Sequence, residues 1–238
     1  MKAILYIGHG TRSKKGAEEA KAFLQRVVAN VNVPIQEISF LELTEPSIHE
    51  GYKKCIQKGA TEITVVPIFL IAAGHIKKDI PEILTSLRNQ YPNVEVTVKD
   101  PFGVQEEILD AIAELVRIES GILSPQDSIL IVGRGSSDPS IYQSFKLISN
   151  GIQNRLNAKQ VSVCFLAAAD PRFQHGLETA IKHTSGRVIV IPYLLFSGLL
   201  LNEIEQMIQK NPSIIRIAPL SEHRSIEQLV VNRAKHIV

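Results

Sequence analysis

The sequence predicts an α/β protein of two similar lobes, each a mainly four-stranded parallel sheet flanked by helices, with a cleft between the lobes. Three observations predict it. The chain is written twice: Ile4-Leu5-Tyr6-Ile7-Gly8-His9-Gly10 returns as Ile129-Leu130-Ile131-Val132-Gly133-Arg134-Gly135, and the same offset of 125 residues pairs Phe40-Leu41 with Phe165-Leu166, Pro46 with Pro171, Gly51 with Gly176 and Pro67 with Pro192. Short apolar β-rich runs alternate with longer amphipathic stretches, the signature of parallel strands joined by crossover helices. Between the copies, the stretch 119–126 carries Gly121 and Pro125 and reads as a linker, so the expected domains are 1–120 and 121–238.

Taken in order, the apolar runs place strands near 3–8, 35–41, 62–68 and 93–98, with helices near 14–30, 46–58, 78–90 and 104–118. Pro46 and Pro81 are expected in the first turns of their helices, where a missing N–H is harmless. The second copy repeats the pattern, with strands near 128–133, 160–166, 187–193 and 213–218 and helices near 139–155, 171–183, 200–210 and 223–236.

Composition narrows the function classes. At 238 residues, with 45% hydrophobic and 21% charged residues, the chain is an ordinary globular protein large enough to bury a substantial core. No apolar run approaches the ~20 residues needed to span a bilayer. The start, MKAILYIGHG, breaks at Gly8 before any signal-peptide core is complete, so a cytoplasmic location without membrane partners is expected. Cys55 and Cys164 are solitary and are expected as buried small hydrophobes. A net charge of +2 and 5% aromatic residues argue against nucleic acid as a partner. Because the duplication makes one chain equivalent to a dimer of half-length units, a monomer is expected.

The copies differ where chemistry is possible. His9 follows the first strand, Glu42 ends the second and His75 lies in the loop after the third, 33 residues apart in each step. All three fall at the carboxyl ends of parallel strands, where open α/β sheets bind ligands. Two imidazoles and a carboxylate suit a divalent first-row metal and leave coordination positions open. The second copy has Arg134, Ala167 and, after a one-residue gap, Leu199 at those places. His49, His175, His183, His223 and His236 fall on predicted helices or their starts and are expected as ordinary surface or half-buried residues.

Other chemistries fit poorly. Gly8-His9-Gly10 and Gly133-Arg134-Gly135 do not complete a dinucleotide loop, since the sixth position is Ser13 in one and Asp138 in the other. There is no GxxxxGK[ST], no HExxH and no G-x-S-x-G around Ser136 or Ser197. The same rims carry Arg12, Lys14, Lys15, Lys77, Lys78 and Arg134, with Ser136 and Ser137 as further donors. The loops Leu70-Ile71-Ala72-Ala73-Gly74 and Leu195-Phe196-Ser197-Gly198-Leu199-Leu200 are strongly apolar for such positions. Apolar walls with cationic edges describe a cleft for a flat apolar ligand with acidic arms. Arg134 is the strongest candidate to grip a carboxylate, with two parallel hydrogen bonds.

Ile7-Gly8-His9-Gly10-Thr11-Arg12, Phe40-Leu41-Glu42-Leu43-Thr44-Glu45-Pro46 and Pro67-Ile68-Phe69-Leu70 leading to Gly74-His75 resemble the CbiX/SirB class II chelatases. The resemblance covers nearly the whole chain; the second copy is similar to a lobe of that family that has lost its metal ligands. It implies a lyase-type chelatase that inserts Fe²⁺ into sirohydrochlorin to give siroheme, releasing two protons and using no nucleotide. Co²⁺ is the alternative metal, as in cobalamin biosynthesis, and Ni²⁺ a further one; no cofactor is implied beyond the substrate metal. It also implies that His9, Glu42 and His75 hold the metal and do the chemistry. Glu45, the loop from Leu70 through Ile71, Ala72, Ala73 and Gly74, and the donors Arg12, Arg134, Ser136 and Ser137 are expected against the tetrapyrrole. A non-catalytic metal or tetrapyrrole carrier and a metal-dependent hydrolase are the competing classes.

Overall fold

In the computed structural model the described residues are 1–72, 74–209 and 211–235, with backbone alone for 74–76. The first copy runs β1 (Lys2–Gly8), α1 (Lys14–Ala29), β2 (Ile35–Phe40), α2 (Ile48–Gln57), β3 (Glu62–Pro67), α3 (Gly74–Gln90), β4 (Glu95–Val98) and α4 (Glu106–Ser120). The second runs β5 (Ser128–Gly133), α5 (Ser140–Leu156), β6 (Gln160–Phe165), α6 (Phe173–His183), β7 (Val188–Pro192), α7 (Leu199–Ile208), β8 (Ile214–Arg216) and α8 (Arg224–Lys235), with a 3-10 turn at Leu220–Glu222. Among the described residues no helix is long and apolar enough to cross a membrane.

Each copy forms one four-stranded all-parallel sheet, in the orders β2-β1-β3-β4 and β6-β5-β7-β8. The central strands β1 and β5 are buried from end to end apart from Lys2, which is why they read as continuous apolar runs rather than alternating ones. In both sheets the order reverses at the first strand of the copy, so a switch point opens beside β1 and another beside β5. One face of the first sheet packs Leu5, Ile7, Ile63 and Val65 against Ile48 and Tyr52 of α2 and Ile80, Leu84 and Leu87 of α3. The equivalent face of the second packs Leu130, Val132, Val188 and Val190 against α6 and α7.

The recurring glycines of α2 and α6 have a packing cause. A Cβ at Gly51 would stand 2.9 Å from the Ser39 Cβ on β2, and one at Gly176 would stand 2.6 Å from the Cys164 Cβ on β6. Each helix lies so close on its sheet that only glycine fits there. Both cysteines are free and fully buried, and burial pushes their thiols up to about 12.

Two helix starts differ from the sequence expectation. Pro46 precedes α2 rather than entering it; its peptide bond with Glu45 is cis, and Ser47 takes the cap in a full capping box with Glu50. α3 begins at Gly74, four residues earlier than expected, so Pro81 lies inside the helix and His75 belongs to its first turn rather than to the preceding loop. A proline there removes one backbone hydrogen bond, a loss the packing of Ile80, Leu84 and Leu87 offsets.

The sequence copies are not the compact units. One unit is Met1–Gly103 with Glu227–Val238, the other Val104–Ile226. The 120/121 boundary therefore separates the copies, while α4 belongs to the second unit and most of α8 to the first. Specific contacts fix this. In α4, Glu106 and Asp110 pair with Arg155 of α5, and the Glu119 carboxylate accepts the Ala218 N–H. In α8, Glu227 pairs with Arg26 at 2.7 Å, and the Arg233 guanidinium donates to the carbonyls of Asp100 and Pro101 while lying 5.1 Å from the Phe102 ring centroid.

The end of α4 is locked by Arg187. Its guanidinium donates to the Ser120 carbonyl at 2.7 Å, the Ile122 carbonyl at 3.1 Å and the buried Asp127 carboxylate at 2.6 Å. Burial works to raise the Asp127 pKa, but the Arg187 guanidinium and the backbone N–H groups of Arg187 and Ser124 outweigh it and hold the carboxyl below its usual range. A carboxyl whose folded pKa is depressed contributes stability that is fully present above its unfolded value, about 3.9, and lost as pH falls through the folded value. Asp127→Asn is therefore expected to cost about 2 kcal/mol near neutrality and to flatten the loss of stability below about pH 4, measured by denaturant unfolding across pH.

Candidate functional site

The site is built on the switch point of the first unit. β1 ends at Gly8 and the next residue is His9; β2 ends at Phe40, two residues before Glu42. Two backbone bonds extend the ladder past the strands, from Leu41 N–H to the Gly8 carbonyl at 2.9 Å and from Glu42 N–H to the His9 carbonyl at 3.1 Å. They place both side chains at the same level of the rim. The loop then closes on itself, the Phe40 N–H donating to the Pro46 carbonyl at 2.9 Å.

Gly10 is what lets the two loops meet. At φ +91° its backbone lies in the left-handed region, and a Cβ there would fall 1.6 Å from the Glu42 carbonyl oxygen. Leu43 is also left-handed, at φ 60°, and is 53% exposed beside Glu42. Thr44 clamps the loops from the side: its hydroxyl accepts the Thr11 N–H at 2.9 Å and donates to the Thr11 carbonyl at 3.1 Å. Thr11 in turn accepts the Ser13 N–H, and Ser13 caps α1.

The outcome is a His9 Nδ1 to Glu42 Oε1 separation of 3.5 Å, with both side chains partly open to solvent. That is longer than the roughly 2.7–2.9 Å of a strong charge-assisted hydrogen bond. It matches the edge of a tetrahedron around an ion with ligand bonds of about 2.1 Å, which is about 3.4 Å. The imidazole also packs on the buried Phe69 ring, centroids 5.9 Å apart at 52°. Phe69, the second residue after β3, is fixed by the Phe102 N–H donating to its carbonyl at 2.9 Å.

The backbone puts His75 in the first turn of α3, the helix that follows β3, and β3 pairs with β1 on the side opposite β2. The side chain of His75 lies outside the described residues, as does Ala73. Among the described residues no group of three or more His, Cys, Asp or Glu side chains is arranged to hold an ion. The structure thus joins His9 to Glu42, and the described part of the site is this pair. Leu70, Ile71 and Ala72 are half-buried, and Arg12 is exposed.

Glu45 is engaged locally. Its carboxylate accepts the Ser47 N–H at 2.9 Å, the same N–H that Glu50 accepts at 2.8 Å. The hydrogen bond that the Glu45 carboxyl makes to the Glu50 carboxylate raises the Glu45 pKa, whereas the Ser47 backbone bond lowers that of Glu50.

The second unit reproduces the scaffold with Arg134 and Ala167 in place of His9 and Glu42. Leu166 N–H donates to the Gly133 carbonyl at 3.0 Å and Ala167 N–H to the Arg134 carbonyl at 2.8 Å; Ala168 is left-handed at φ 54°, and the Asp170-Pro171 peptide is cis. Gly135 sits at φ +90° with a virtual Cβ 1.8 Å from the Ala167 oxygen. On this frame Arg134 and Ser137 are exposed, and Ser136 accepts the Asp138 N–H at 3.1 Å.

The CbiX family model matches residues 3–119 and again 128–237, one match for each copy. The chain belongs to the CbiX family. Among its relatives is the sirohydrochlorin ferrochelatase of Priestia megaterium, 44% identical over 88% of this chain and 79% of that protein. The sirohydrochlorin cobaltochelatase of the same organism is 31% identical, covering 88% of this CbiX chain and 69% of the relative. The structure of SirB from Bacillus subtilis with Fe³⁺ superimposes with a TM-score of 0.87 at 38% identity, covering 99% of this chain and 94% of that one.

Sequence reading missed Leu43, Thr44 and Phe69 as site residues. A signal was present for all three: Leu43, Thr44 and Phe69 align with Ala168, Ala169 and Leu194 at the repeat offset, so they change together with His9 and Glu42.

Proposed function

We propose that this chain is a sirohydrochlorin ferrochelatase, inserting Fe²⁺ into sirohydrochlorin to form siroheme without a nucleotide. The observation that carries the reading is the His9–Glu42 pair at 3.5 Å, a ligand-edge spacing at the switch point of the one unit that has both side chains. His75, from the first turn of α3, supplies the second imidazole.

Metallation must strip two pyrrole N–H protons while the metal enters from one face of the ring. A neutral imidazole, with an ordinary pKa of about 6.5, accepts a proton near neutrality. As ring nitrogens replace protein ligands, His9 and Glu42 are released from the metal and take the protons. Glu42 also offsets part of the ion's charge before transfer. Leu43 joins Leu70, Ile71, Ala72, Ala73 and Gly74 as apolar contacts for the macrocycle. Arg12, Arg134, Ser136 and Ser137 are assigned to its carboxylates on their chemistry, Arg by paired hydrogen bonds and Ser by its hydroxyl. Glu45, held at the start of α2, is a further substrate contact in this reading. The enzyme acts as a cytoplasmic monomer, since one chain carries both copies of the fold.

Anaerobic assays with sirohydrochlorin and Fe²⁺ or Co²⁺, followed by the visible absorbance change, test the reaction. Steady multiple turnover is expected, with kcat/KM higher for Fe²⁺. A single stoichiometric phase would identify a carrier instead. Faster turnover with Co²⁺ would make the chain a cobaltochelatase, the second reading, which the 31% identical relative favours.

A further inference from the structure

We propose that the Thr44 hydroxyl is a positioning group that sets the distance between His9 and Glu42. The proposal rests on reading those two side chains as metal ligands, and it adds a residue that touches neither metal nor substrate.

The two copies provide an internal control. Both hold the loop after their second strand with the same backbone bonds, Glu42 N–H to His9 O in one and Ala167 N–H to Arg134 O in the other. Both have the left-handed glycine, Gly10 or Gly135, pressed against the opposing carbonyl. Both place a left-handed non-glycine residue next, Leu43 or Ala168. The loop fold therefore needs no hydroxyl clamp at this position; in the second copy the Tyr142 hydroxyl accepts the Asp170 N–H and the Arg172 guanidinium donates to the Leu166 carbonyl instead. Yet the first copy has such a clamp, the Thr44 hydroxyl bonded in both directions to the Thr11 backbone, and the second has the buried Ala169 in its place.

The clamp occurs where the ligands occur and is missing where Arg134 and Ala167 replace them. Its location explains its use. Thr11 lies two residues after His9 and Thr44 two residues after Glu42, so the paired bonds join the two loops on the far side of the ligand-bearing residues. With the backbone bond between His9 and Glu42 they form a second cross-tie. One tie fixes a distance but leaves a hinge; two remove the hinge and hold the carboxylate at the edge spacing a metal requires.

The test compares Thr44→Val, which keeps the shape and removes the hydroxyl, with Thr44→Ser, which keeps the hydroxyl. Thr44→Ala supplies the residue the second copy carries at this position and is the variant to use if valine crowds the loop. Two bonds of ordinary net strength correspond to about tenfold, so Thr44→Val and Thr44→Ala are expected to weaken Co²⁺ binding, titrated by its visible spectrum without tetrapyrrole, by about tenfold or more. The KM for Fe²⁺ should rise in parallel, with kcat changing less, and Thr44→Ser should restore both. Wild-type Co²⁺ affinity and KM in Thr44→Val and Thr44→Ala would overturn the proposal, as would a serine variant as impaired as the valine one. Glu42→Ala, measured alongside, separates the two levels: if it too binds Co²⁺ normally, the ligand reading itself fails.

Discussion

Replacing His9 with alanine is expected to lower kcat/KM for iron insertion by about 10²–10⁴-fold while leaving the affinity for sirohydrochlorin within about twofold. In the proposed function the imidazole serves twice, as a ligand that presents the ion and as a base that takes a pyrrole proton. On that reading its removal costs both contributions at the transition state, whereas the macrocycle is assigned to other groups. Fluorescence or absorbance titration with the metal-free tetrapyrrole gives the binding arm, and anaerobic turnover gives the kinetic arm. A variant that binds the tetrapyrrole poorly but inserts metal at the normal kcat would assign His9 to substrate recognition instead.

Gly10→Ala is expected to have the second-largest effect, and the fold supplies its control. The added Cβ would overlap the Glu42 carbonyl, 1.6 Å away, at a φ that alone costs a residue with a Cβ about 1–2 kcal/mol. The His9 and Glu42 loops must separate to accept it. Gly135→Ala meets the same geometry, a Cβ 1.8 Å from the Ala167 oxygen at φ +90°, on a rim that carries Arg134 and Ala167 instead. Both variants should therefore lose similar stability in thermal or denaturant unfolding, about 2–4 kcal/mol. In kcat for metallation, measured below the unfolding transition, Gly10→Ala should fall at least about tenfold further than Gly135→Ala, because only its loops carry His9 and Glu42, the proposed metal ligands. Equal losses of kcat would mean that the geometry between His9 and Glu42 does not control the chemical step.

Much of this was legible in the residues. The offset of 125 marks both sheets, and the backbone at Gly10 and Gly135, at Leu43 and Ala168, and at the two cis prolines repeats at that spacing. The meeting of His9 and Glu42 followed from strand ends alone, since neighbouring parallel strands bring their carboxyl ends to one rim. The exchange of α4 and α8 between the compact units was not legible. An amphipathic pattern says which face of a helix is buried, not against which sheet, and the deciding contacts, Arg155 with Glu106 and Asp110, and Glu227 with Arg26, are long-range ion pairs. The start of α3 was hidden by Gly74 and Pro81, which locally disfavour a helix that tertiary packing imposes. The Thr44 clamp escaped because a hydroxyl bonded across 33 residues leaves no helical or strand periodicity, its trace being the change to Ala169 in the second copy.

Anomalous diffraction from crystals loaded with Co²⁺ tests the central claim most directly, because it locates the ion without relying on turnover. One cobalt peak is predicted at the rim of the first sheet, within about 2.0–2.2 Å of a His9 nitrogen and a Glu42 oxygen, with His75 as the third ligand and no equivalent peak at Arg134. A fully occupied cobalt bound elsewhere, with the His9–Glu42 rim empty, would contradict the account.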